Sequence, residues 1–165
     1  MQGIDTRWYG LGDAAGLVKL DGVEFRQYQF NIVKSIFEGR NTLVVLPTGL
    51  GKTLIAVFAI ANSISRGKKA LILAPTKPLS EQHHATLQNL LGIPKEKIML
   101  LTGAIPRKRR AVEENSADVI IATPQTISND LKHAHIDTSN FGIVIFDECH
   151  KAVGKYAYTY IANEC

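Results

Sequence analysis

Leu43-Val44-Val45-Leu46-Pro47-Thr48-Gly49-Leu50-Gly51-Lys52-Thr53 is the stretch on which the fold of this chain turns. An apolar, β-branched run leads into a turn of Pro and Gly, and a long helical pattern follows. A strand that breaks into such a turn and re-enters a helix aims backbone N–H groups at one spot. That spot lies at the positive end of the helix macrodipole. Lys52 adds a mobile charge suited to β- and γ-phosphates, and Thr53 a hydroxyl suited to Mg²⁺. Pro47, Thr48, Gly49, Leu50 and Gly51 form the cradle between them. The general phosphate-loop pattern G-x-x-x-x-G-K-[ST] has one exception here: Leu46 stands where its first Gly is expected.

Outward from this loop the chain alternates. Apolar residues at Tyr28, Ile32, Val33, Ile36 and Phe37 share one face of a helix expected over Phe25–Glu38, with Gly39 placed to end it. Thr42–Leu46 reads as a strand and Thr53–Arg66 as a helix closed by Gly67. Ala70–Ala74 is the next strand, and Pro78 opens a helix that runs to about Leu91, stopped by Gly92 and Pro94. Ile98–Leu101, Val119–Ala122 and Phe141–Phe146 read as further strands. Helices are expected over Pro106–Asn115, over Pro124–His133 and from Tyr156 onward. Residues before Gly22 show no period, apart from a short strand expected at Leu17–Leu20.

The strands are near-continuous apolar runs such as Leu71-Ile72-Leu73 and Ile143-Val144-Ile145-Phe146, the pattern of strands covered on both faces. Strand–helix alternation with right-handed crossovers gives an α/β fold, a doubly wound, mostly parallel sheet flanked by helices. The loops at the C-terminal strand ends then line one edge, where ligands bind in such sheets.

Asp147-Glu148-Cys149-His150 follows directly on the last strand. An Asp at the end of a buried apolar strand is costly unless a positive partner meets it. A Mg²⁺ carried by nucleotide phosphates is the natural partner for Asp147. Glu148 is then placed to orient and deprotonate a water attacking the γ-phosphate. His150 is either a surface residue or a link from the γ-phosphate to a second site.

The totals restrict the remaining classes. A chain of 165 residues is one domain with room for a proper core. A hydrophobic share of 45% with 21% charged residues is ordinary for a soluble α/β protein, and a net charge of +4 permits an anionic partner without demanding one. Cys149 and Cys165 give neither a disulfide framework nor zinc spacing, and His133 and His135 read as surface residues. The longest apolar stretch, Leu54–Ala61, is far short of a membrane span, and the N-terminus lacks a signal-peptide core. The chain therefore reads as intracellular: cytoplasmic or, in a eukaryote, nuclear.

Leu-Pro-Thr-Gly-Leu-Gly-Lys-Thr at 46–53, with Asp-Glu-Cys-His at 147–150, resembles motifs I and II of superfamily-two helicases of the DExH branch. That branch tolerates Leu46. Several segments are similar, more narrowly, to archaeal Hef and FANCM-type DNA helicases: Ala74–Leu79 with Gln82-His83, Ala122–Asp130, and Asp147–Tyr158. Cys149 is shared with Dicer and RNA-sensing helicases, which makes an RNA-directed ATPase the alternative.

The resemblance implies a RecA-like domain over residues 25–165, preceded by an extension over 1–24. It implies that Arg26 and Gln29 belong to an adenine-recognition motif, with ATP and Mg²⁺ as cofactors. Pro75, Thr76 and Lys77, then Thr102 and Gly103, then Thr123, Pro124 and Gln125, correspond to nucleic-acid motifs. The residue chemistry agrees, since Thr hydroxyls and free N–H groups just beyond strands suit phosphate oxygens without reading sequence. Arg107-Lys108-Arg109-Arg110 extends such a track or forms a solvated helix face. The implied partners are DNA, single-stranded or forked, with RNA as the alternative, and a second RecA-like domain of the same parent chain. Without that domain and its arginine finger, little hydrolysis or unwinding is expected of these residues alone. A phosphate-loop kinase or transporter ATPase fits less well, because the strand-end loops are Thr-Pro and Thr-Gly turns.

Overall fold

The computed structural model describes residues 10–19, 25–47, 49–103, 115–151 and 157–165. The helix expected over Pro106–Asn115 falls outside these residues, all but its last position. So do the basic run at 107–110, Thr48 and Tyr156.

The helical segments are α1 (Asp13–Gly16), α2 (Gln27–Phe37), α3 (Lys52–Ser65), α4 (Lys77–Leu90), α5 (Pro124–Lys132) and α6 (Ala157–Glu164). The strands are β1 (Lys69–Leu73), β2 (Ile98–Leu101), β3 (Val119–Ala122) and β4 (Phe141–Phe146), all parallel, in the order β2-β3-β1-β4. α3 is apolar nearly all round, and Val57, Phe58, Ile60 and Ala61 are fully buried. A helix of that kind belongs at the centre of a layer rather than on a surface. Its core includes Phe25, Val33, Ala70, Ile72, Leu87, Leu91, Val119 and Ile121. The opposite face of the sheet forms a second core, in which Leu71, Leu73, Leu101 and Ile120 meet Ile127, Tyr158 and Ile161. The sheet is thus covered on both sides, as its apolar runs predicted.

Helix ends follow the turn residues. Gly39 (φ 80°) closes α2 through its N–H to the Ile36 carbonyl at 2.9 Å, and Gly67 (φ 71°) closes α3 on the Ile64 carbonyl at 2.9 Å. Thr76 and Thr123 each precede a helix with Pro in its first turn.

Two expected strands are not seen among the described residues. Among the described residues Thr42–Leu46 has no ladder partner, although its alternation persists: Val44 and Leu46 pack on the core while Leu43 and Val45 are 74% and 81% exposed. β4 pairs with β1 alone among the described residues and is only half-buried. An apolar β-branched run sets strand propensity, but a strand exists only with a hydrogen-bonded neighbour. Of the strand expected at Leu17–Leu20, the described residues 17–19 show one antiparallel bridge, Val18 with Leu91. The partner there is the end of a helix, which offers no second rung. α1 has no clear sequence signal, yet Leu11, Ala14 and Val18 are buried in the α3 core.

Candidate functional site

Parallel topology brings the candidate residues to one edge. Leu101, Ala122, Leu73 and Phe146 form a single row of register across β2, β3, β1 and β4. The chain leaves that row through Thr102, Thr123, Ala74-Pro75-Thr76-Lys77 and Asp147, so all four loops open on the same side. The helix N-terminus at Gly51–Lys52 belongs to α3, which packs against β1 and β4.

The loop before α3 is held from α2. Tyr28 donates its hydroxyl to the Leu50 carbonyl at 2.7 Å, and Gln29 Nε2 lies 3.3 Å from Leu50 O and 3.4 Å from Gly51 O. Gln29 Oε1 accepts from the Arg26 N–H at 2.8 Å, the reciprocal bond of a capping box. The buried Gln29 amide is therefore engaged at both ends. Gly49 and Gly51 have φ 82° and 77°, and a Cβ on Gly51 would collide with the Gln29 side-chain nitrogen. Gly51 is the N-cap of α3 and has no side chain, so among the described residues nothing caps the first-turn N–H groups of Lys52 and Thr53. Such donors at a helix start suit an anion. Lys52 Nζ donates to Leu46 O at 3.0 Å, and Thr53 is exposed. A cavity of about 260 Å³ beside the loop is lined by Arg26, Tyr28, Gln29, Gly51 and Thr53 among others. Its size suits a base rather than a whole nucleotide.

Asp147 extends the β4 ladder through its N–H to Leu73 O at 2.9 Å. Its Oδ1 accepts the Glu148 N–H at 3.0 Å, and its Oδ2 is 2.8 Å from His83 Nε2. The bond from His83, above all, holds the carboxyl below its ordinary value. Burial opposes this, while the charges of His83 and Lys52 and the Glu148 N–H reinforce it. Glu148 has φ 53°, a left-handed conformation costing about 1–2 kcal/mol for a residue with a Cβ. Its Oε2 lies 3.2 Å from His150 Nε2, so His150 reaches Glu148 from an exposed position. Tyr158 bonds to the Asp147 carbonyl, and burial first, then the nearby acidic groups, push its hydroxyl up so that it stays a donor.

The strand-end threonines are partly occupied by their own turns. Thr76 Oγ1 accepts from Leu79 N at 3.4 Å, and Thr123 Oγ1 is 3.0 Å from Thr126 Oγ1. Lys77 is exposed and 3.7 Å from Glu81. Thr102 is half-buried, Gly103 and Gln125 are exposed, Pro75 is half-buried and Pro124 buried. His133 and His135 are exposed, with rings stacked 5.8 Å apart. His83, Tyr28 and Tyr158 hold the site together but carry no spacing signal of their own. Gln82-His83 stood out only through the Hef-like segment.

A model of the DEAD/DEAH box helicase family matches residues 26–163. The chain belongs to that family. It is 43% identical over 144 residues to the ATP-dependent DNA helicase fml1 of Schizosaccharomyces pombe, covering 86% of this chain and 17% of that protein. It is 42% identical over 149 residues to a putative ATP-dependent RNA helicase of Methanocaldococcus jannaschii, covering 90% of this chain and 19% of that protein. The crystal structure of the Pyrococcus furiosus Hef helicase domain superposes with a TM-score of 0.85 at 45% identity, over 90% of this chain and 31% of that one. The fold of this helicase chain is therefore that of a RecA-like domain, and the chain spans less than a fifth of the two curated relatives named here. Among the described residues no helix is long and apolar enough to cross a membrane.

Proposed function

We propose that this chain is the ATP-binding motor domain of a Hef-type, ATP-dependent DNA helicase or translocase that processes branched or forked DNA. The observation that carries this reading is the single sheet edge shared by Asp147-Glu148 and the Thr102, Thr123 and Thr76 loops. A phosphate-binding helix start and backbone-directed loops then act on one common space. In this reading Arg26 and Gln29 face the adenine, and Pro47, Thr48, Gly49, Leu50, Gly51 and Lys52 hold the phosphates. Glu148 orients and deprotonates the attacking water, with His150 beside it.

The donor set fits Mg²⁺. Among the described residues no group of three or more His, Cys, Asp or Glu side chains forms a cage. Mg²⁺ usually takes one or two protein oxygens and completes its shell with nucleotide phosphates and water. The Asp147 carboxylate and the Thr53 hydroxyl would hold it, and it would offset negative charge on the phosphates.

Catalysis further requires a second RecA-like domain of the parent chain to close over the nucleotide and supply an arginine finger. ATP binding closes the pair, hydrolysis opens it, and nucleic acid held along 75–77, 102–103 and 123–125 advances. DNA is the favoured substrate because the fungal relative is named a DNA helicase. RNA remains the second reading, favoured by the name of the archaeal relative. Lys52→Ala in the full-length protein tests the nucleotide assignment. ATP hydrolysis should vanish while single-stranded DNA binding survives, and persistent hydrolysis would overturn it.

A further inference from the structure

α4 carries the Thr76–Lys77 turn at its N-terminus, and two turns further along it carries His83. His83 Nε2 lies 2.8 Å from Asp147 Oδ2, and both side chains are largely shielded, at 25% and 31% exposure. The other carboxylate oxygen is taken by the N–H of Glu148, from within the same turn. The remaining bonds to Asp147 fall on its backbone: its N–H meets Leu73, and its carbonyl meets Tyr158. Among the described bonds, α4 alone therefore reaches the Asp147 carboxylate from another element. The adjacent His84 turns elsewhere and bonds the Ile98 carbonyl at 3.0 Å, seating α4 on the start of β2. Two successive histidines thus divide the work: one fixes the helix to the sheet and the other fixes a carboxylate to the helix.

We propose that His83 is a positioning residue that sets the Asp147 carboxylate for Mg²⁺–nucleotide and transmits the position of the nucleic-acid-facing end of α4 to it. This rests on the function proposed above. The geometry carries it: a rigid helix with one end at the Thr76 loop and one side chain on the carboxylate links the two through a single hydrogen bond. A histidine present only to fill space would need no partner at that oxygen. Held by two donors, the carboxylate has one orientation to offer a cation. Freed from His83, it samples several rotamers, and the orientation a cation requires is populated only part of the time.

Full-length protein carrying His83→Leu or His83→Gln separates positioning from packing. Leu keeps volume and loses the donor, whereas Gln keeps an N–H near the position of Nε2. Binding of a fluorescent ATP analogue is titrated with Mg²⁺, and the stimulation of ATPase by a forked DNA oligonucleotide is measured alongside. His83→Leu should raise the Mg²⁺ concentration for half-maximal nucleotide binding about tenfold, which corresponds to about 1.4 kcal/mol. It should also lower the fold-stimulation by DNA, while metal-free nucleotide binding holds. His83→Gln should restore most of both. A wild-type Mg²⁺ midpoint in His83→Leu, or equal losses in the two variants with equal drops in melting temperature, would overturn the proposal. Lys52→Ala run in parallel keeps the two ideas apart. Should it still hydrolyse ATP, the functional reading fails. Should it be dead while His83→Leu matches wild type, only the role of His83 fails.

Discussion

Tyr158 shares its hydroxyl between the carbonyl of Asp147, at 2.7 Å, and that of Leu73, at 3.3 Å, so α6 is bonded to the ends of β4 and β1 together. The bond falls one residue before Glu148, whose φ of 53° sets the direction of its carboxylate. Strain of this kind persists only where the surroundings over-determine it. Tyr158→Phe keeps the ring against Phe146 (centroids 5.6 Å apart) and removes the donor. Stability should fall by about 1 kcal/mol, the cost of leaving the partly buried Asp147 carbonyl without this donor. ATPase turnover in the full-length protein should fall on the order of tenfold as Glu148 loses its fixed direction. Thermal unfolding and steady-state kinetics check both parts.

Tyr28 holds the loop before α3 by the Leu50 carbonyl. Tyr28→Phe should cost about 1 kcal/mol of stability. In the full-length protein it should raise the nucleotide Kd several-fold, about 1 kcal/mol of lost preorganisation, with little change in turnover once nucleotide is saturating. A fluorescent-nucleotide titration beside a saturation curve separates the two.

Gly51 is fixed by two independent constraints, a left-handed φ and the Gln29 amide against its α-carbon. Gly51→Ala should destabilise the domain by about 1–3 kcal/mol through strain at that φ and should abolish nucleotide binding, because Gln29 is driven from the capping box. Gly49→Ala has the same positive φ with open space around the new methyl. It should show the strain alone. A thermal melt and a nucleotide titration of the two variants side by side test the distinction.

The Asp147 carboxyl is held below its ordinary value, chiefly by His83. A depressed folded-state value adds stability above the unfolded pKa of about 3.9, and that stability is lost as pH falls through the folded value. Asp147→Asn removes this contribution. Urea unfolding between about pH 6 and pH 3 should show a shallower loss of stability in the variant than in wild type. Parallel slopes would mean that the His83 bond does not form in solution.

Much of the fold was legible because its signals are local. β1, β2, β3 and β4 were visible as apolar runs, and Gly39 and Gly67 marked helix ends that the backbone uses. Thr42–Leu46 carries strand propensity without forming a ladder among the described residues, because strand formation depends on a neighbour that no local pattern encodes. α1 was invisible for the opposite reason, since its four residues are ordered by packing against α3 rather than by periodicity. At the candidate site, Lys52 stood out at a helix start and Asp147 and Glu148 at a strand end because phosphate and metal chemistry favours those residue types there. His83 acts through a bond to a group 64 residues away and Tyr158 through bonds to groups 11 and 85 residues away, and such bonds leave no spacing to read.

The claim that nucleotide and nucleic acid act on one sheet edge is tested most directly by ATP hydrolysis in the full-length protein, with forked DNA, with duplex RNA and with neither. Turnover should rise on the order of tenfold or more with forked DNA, a gain of at least about 1.4 kcal/mol, and should fall back as salt weakens backbone contacts. Duplex RNA should stimulate it far less. Hydrolysis indifferent to both would contradict a nucleic-acid motor, and stimulation by duplex RNA alone would replace the DNA reading with the RNA-directed one.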